Sequence, residues 1–116
     1  SGVGMDLGAS WTLPRAIGMK RTRQLAMLSR PLDAVTAKDW GLVMDVLSNE
    51  TLMDEAEKVC QELLANSTPP AIAAIKQQLK LAANADLQTS LDFEAQVQAA
   101  LVLTEESKAL IDSFGT

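Results

Sequence analysis

Asp6 is the first side chain in the sequence with a catalytic use, because it stands beside Gly4 and Gly8 just before an apolar stretch that reads as a helix. A carboxylate in such a turn has two uses. It can cap the helix, accepting from backbone N–H groups that have no partner in the first turn, or it can serve as a base held against a substrate. Arg15, Lys20, Arg21, Arg23 and Arg30 follow with no acid among them. Such a run is either a solvated helix face or a site for a phosphate-bearing ligand or an acidic partner. Cys60 is the single cysteine and there is no histidine. These residues therefore hold no disulfide framework, no Cys–His or Ser–His–Asp nucleophile and none of the usual zinc ligand sets. No metal site is expected. Cys60 falls within an apolar stripe and reads as a small core residue. Trp11 and Trp40 read as packing residues, and Glu105 and Glu106 as acids that complement a helix start.

The elements that would position these groups are helical. With 47% apolar residues drawn mainly from Ala, Leu, Ile, Val and Met, and with 3% aromatics, the 116-residue composition favours one all-α domain. About six helices with at most one short strand are predicted. The first spans about 8–17, capped by Asp6 or Ser10 and ended by Gly18 in a left-handed turn. Pro14 makes it short or late-starting. A second runs over 19–29, and Asp33 caps a short one over "AVTAKDW" that stops at Gly41. "LVMDVL", 42–47, is a short strand or an extended connector. The clearest periodicity covers 51–65, with Leu52, Met53, Ala56, Val59, Cys60, Leu63 and Leu64 in one stripe and a capping-box pattern from Thr51 to Asp54. Pro70 opens the next helix, to about 83. Asp86 caps a helix over 87–103 that is apolar on two sides, Leu87, Leu91 and Ala95 on one and Phe93, Val97 and Leu101 on the other. Both sides need burial, which points to a neighbouring subunit. Thr104 caps a last helix with Leu110, Ile111 and Phe114 inward.

Net charge is −5, but residues 1–40 carry six basic and three acidic groups while 41–116 carry four basic and twelve acidic. The overall balance argues against non-specific nucleic-acid binding. No apolar run has the length of a membrane span, and no signal-peptide pattern opens the sequence, so a cytoplasmic location is expected.

"GVGMDLGASWTLPRAIG" (2–18) resembles the stretch opening the C-terminal third of the enoyl-CoA hydratase/isomerase (crotonase) superfamily. The resemblance continues in order through "RTRQLAMLSRPLDAVTAKDWGLVMDVL" (21–47), "ETLMDEAEKVCQELLANSTPPAIAAIKQQL" (50–79) and "LDFEAQVQAALVLTEESKALIDSF" (91–114). It implies that 1–116 is the helical trimerisation and lid region of such a protein. The preceding β/α spiral core, with the oxyanion hole, would lie outside these residues. It also implies an acyl-CoA partner, with coenzyme A as part of the substrate and no separate cofactor, and a homo-oligomer, trimer or hexamer. Asp6 matches the position where isomerase and dehalogenase members place a catalytic carboxylate. Phe114 matches the aromatic that reaches a neighbouring subunit's CoA. The lysine that follows that aromatic in the family has no counterpart in "FGT". A non-catalytic, self-associating helical module is the alternative reading.

Overall fold

The computed structural model describes residues 2–115. Among them it contains seven helices and no strand: α1 Ala9–Ile17, α2 Met19–Leu28, α3 Ala34–Asp39, α4 Leu52–Asn66, α5 Pro69–Ala82, α6 Leu87–Leu101 and α7 Glu105–Phe114. The chain divides into two compact units, Ser1–Leu52 and Met53–Thr116.

In the first unit α1 and α2 pack on each other. Gly18 joins them with φ 85° and ψ 157°, so the joint has the positive φ that glycine permits without being the left-handed helical turn that was expected. Pro14 lies inside α1 rather than in its first turn, where it has no N–H to give the carbonyl one turn back. Ile17 and Thr22 are buried near the joint, and the Thr22 hydroxyl donates to the Gly18 carbonyl at 2.8 Å. Asp33 caps α3 as expected. Its Oδ1 accepts from the Thr36 N–H at 2.8 Å and its Oδ2 from the Thr36 hydroxyl at 2.9 Å. The stretch 42–47 is an irregular connector, tied back to α3 by the exposed Lys38–Asp45 ion pair at 2.6 Å.

In the second unit the N-terminal caps of three helices are side chains that the local pattern marks out. Thr68 caps α5 ahead of Pro69 and Pro70, Asp86 caps α6, and Thr104 caps α7, each accepting from the N–H three residues on. The start of α4 is different. The Thr51 hydroxyl turns back to Ser48, and the expected capping box does not form. α5 and α6 pack together. Of the two apolar sides of α6, the one carrying Phe93, Val97 and Leu101 is half-buried, while Leu87, Leu91 and Ala95 are exposed.

The helices are well formed, but little is enclosed by them. Among the described residues the buried apolar side chains are Ile17 and Ala37, and no large side chain is fully buried. The chain exposes 9168 Å², whereas two separate globules of the units' sizes would expose roughly 7,400 Å². Cys60, expected in a core, is exposed, and none of the residues of the α4 apolar stripe is buried. Ile111 and Phe114, expected inward on α7, are exposed too, while Leu110, the third residue expected inward, is half-buried.

Candidate functional site

Asp6 belongs to a tight turn that leads into α1. Gly2, Leu7 and Gly8 all have positive φ, at 58°, 52° and 80°. The turn is held by backbone atoms. The Ala9 N–H donates to the Asp6 carbonyl at 2.9 Å, and the N–H groups of Trp11 and Thr12 both donate to the Gly8 carbonyl at 3.0 Å. Gly8 is the N-cap, and no side chain caps α1. The expected capping role of Asp6 or Ser10 is therefore not what the structure shows, because the left-handed Gly8 occupies the cap position. The Asp6 carboxylate is exposed and hydrogen-bonds or ion-pairs with no described residue. A carboxylate that does nothing for its own helix is available to a substrate or to other protein surface.

The neighbouring Leu7 was not singled out by its residue type. A leucine in the left-handed region costs roughly 1–2 kcal/mol, and this one is 99% exposed, so its side chain gains no packing among the described residues to offset that cost. One turn along α1, the Arg15 guanidinium lies 3.6 Å from the centre of the Trp11 ring and donates from Nη1 to the Trp11 carbonyl at 2.9 Å. The Arg21 guanidinium lies 5.3 Å from the centre of the Trp40 ring. Both tryptophans thus carry a cation on the ring face and are more than packing residues. The first pair was open to reading from its i,i+4 spacing on a helix. The second joins residues far apart in sequence and had no local signal. Lys20, Arg21, Arg23 and Arg30 are exposed, and none of them pairs with an acid among the described residues.

The titrations that depart from their ordinary values belong to structural carboxylates. The Thr36 N–H and hydroxyl hold Asp33 below the usual carboxylate range, the hydrogen bond from Lys38 does the same for Asp45, and the Thr89 side chain and N–H for Asp86.

Phe114, the other candidate, is the last residue of α7 and 72% exposed. Asp6 is in the first unit and Phe114 in the second. Neither lines the mainly apolar groove of about 310 Å³ on α4, bounded by Val59, Cys60, Glu62, Leu63, Asn66 and Ser67. Nor does either line the cavity of about 190 Å³ where Gln24, Arg30, Leu32 and Trp40 meet. No cluster of three or more potential metal-ligating side chains occurs among the described residues.

The sequence matches the family model described as Enoyl-CoA hydratase/isomerase over residues 1–115. The chain belongs to the enoyl-CoA hydratase/isomerase family. Among its relatives is 1,2-epoxyphenylacetyl-CoA isomerase of Escherichia coli K12, 37% identical over 93 residues, which are 80% of this chain and 35% of that protein. An enoyl-CoA isomerase/hydratase of Mycosarcoma maydis is 32% identical over 97% of this chain and 41% of its own length. The fold agrees with the sequence. An enoyl-CoA hydratase/isomerase from Cupriavidus metallidurans CH34 superposes with a TM-score of 0.89 at 38% identity, over 97% of this chain and 42% of that one. This enoyl-CoA hydratase/isomerase family chain thus spans 35%, 41% and 42% of the length of these three relatives.

Proposed function

We propose that residues 1–116 form the C-terminal helical region of an acyl-CoA hydratase or isomerase, and that Asp6 is the acid–base group that this region brings to the reaction. The observation that carries the reading is the Asp6 turn. A carboxylate next to two left-handed residues is held by its own backbone carbonyl, while its side chain is left without a structural task. The relatives with isomerase in their names, and the family match that includes the turn, support it.

The chemistry is proton transfer at the acyl chain of a CoA thioester. Removal of a proton alpha to the thioester carbonyl leaves an enolate, and a pair of backbone N–H donors stabilises its oxygen. Those donors belong to the β/α core, outside these residues. Asp6 takes up or returns the proton. Phe114 contacts the CoA of a neighbouring subunit, and the region assembles as a homo-trimer or a dimer of trimers. The uncovered apolar faces of α4 and α6, and an exposed area well above that of closed globules, support a region built to be covered. Coenzyme A enters only as part of the substrate, and the site is cytoplasmic.

The test is a chimera in which this chain replaces the aligned 42% of the Cupriavidus metallidurans relative. The chimera should turn over an enoyl-CoA, and Asp6→Asn should slow it by roughly 100-fold or more, the usual scale for losing a general acid–base group. An Asp6→Asn chimera with an unchanged rate would return the region to the alternative, a helical module that only self-associates.

A further inference from the structure

Leu7 combines two properties that are hard to explain within this chain. Its backbone is in the left-handed region at φ 52°, which a bulky side chain rarely adopts, and its side chain is 99% exposed. Scattered exposed leucines are ordinary, and they need no explanation when their backbone is relaxed. Here the strained residue gains no packing in return. Strain of this kind persists where a side chain has to be presented to something else. What lies next to it is Asp6, the one carboxylate of the turn, with no described partner. Gly8, one residue on, also has positive φ, at 80°, and a Cβ built there would meet nothing within 4 Å.

We propose that Leu7 is a specificity-determining residue that presents an apolar wall to the acyl chain beside Asp6, limiting the length of chain accepted. The proposal rests on the reading of Asp6 as the acid–base group. An acyl chain is apolar, and a leucine beside the proton-transfer group restricts it by volume. One methylene accommodated or refused in an apolar pocket changes kcat/KM by about 10-fold or more.

The experiment grafts residues 5–9 of this chain onto the aligned positions of the Cupriavidus metallidurans relative, and compares that graft with its Leu7→Ala and Asp6→Asn forms. The readout is the ratio of kcat/KM for dodecenoyl-CoA to that for crotonyl-CoA. Leu7→Ala should raise the ratio about tenfold. A ratio that does not move, in a graft whose rate depends on Asp6, overturns the role of Leu7 alone. A folded graft that has no turnover, or keeps its rate as Asp6→Asn, overturns the reading of Asp6 and this inference with it. In the 116-residue chain itself, Leu7→Gly should leave the melting temperature unchanged or raise it, since only a strained, exposed side chain is removed. A clear fall would make Leu7 a packing residue and would also overturn the proposal.

Discussion

Asp6 and Thr68 mark the two kinds of residue in this chain. Thr68 is 7% exposed and its hydroxyl accepts from the Ala71 N–H at 3.3 Å, so it serves its own helix. Thr68→Ala should cost about 1 kcal/mol, read as a lower urea midpoint for the helical signal. An unchanged midpoint would show that the two prolines at the start of α5 are sufficient to begin it. Asp6 serves no helix, and its removal should leave stability unchanged while lowering the rate of the chimera. Residue type alone suggested the reverse for Asp6, because an acid just before a helix is usually its cap. The positive φ of Leu7 and Gly8, which moves the cap to Gly8, is not written in the residue type of a leucine.

At the level of the elements, the caps govern the response to acid. Asp33 and Asp86 are held below the ordinary carboxylate range by hydrogen bonds that favour the charged form. A depressed folded-state pKa means that the stabilisation is fully present above the unfolded value, near 3.9, and is lost as the pH falls through the folded value. Helix content should therefore fall below about pH 4, and the Asp33→Asn, Asp86→Asn double variant, which keeps capping ability but not the titration, should fall less. Equal acid profiles would assign the loss to other groups. These caps were legible in the sequence because capping is local: Asp33, Asp86 and Thr104 each act on an N–H three residues away. The helix periods were legible for the same reason. What covers them was not. The stripe of Leu52, Val59, Cys60 and Leu63 reads as buried from its period, yet none of these residues is buried in the structure. Amphipathic spacing says that a face needs a partner and does not say where the partner comes from.

For the molecule as a whole, the exposed area points to a region that is covered by a partner. A standard interface takes roughly 800 Å² from each partner, and the surface beyond that of closed globules is about twice this. The proposed homo-oligomer predicts, by light scattering behind a sizing column, a mass three or six times the 12.4 kDa of one chain. A monomer or dimer would mean that these helices do not carry the family's assembly without the remainder of such a protein. The family was legible from ordered motifs spread over almost the whole sequence, and the match over residues 1–115 agrees with it. The two-unit division was not, since the break at Leu52 falls within one of the quoted motifs and no Gly- or Pro-rich linker marks it.

The most direct test of the account is turnover by the purified 116-residue chain alone. Its central claim is that these helices bring a carboxylate to a reaction whose oxyanion donors lie in another part of the protein. Incubated with crotonyl-CoA or a 3-enoyl-CoA, the isolated chain should show no hydration and no double-bond shift above the uncatalysed rate. Turnover that follows the chain through purification and disappears in Asp6→Asn would contradict the claim, because these residues would then hold a complete active site.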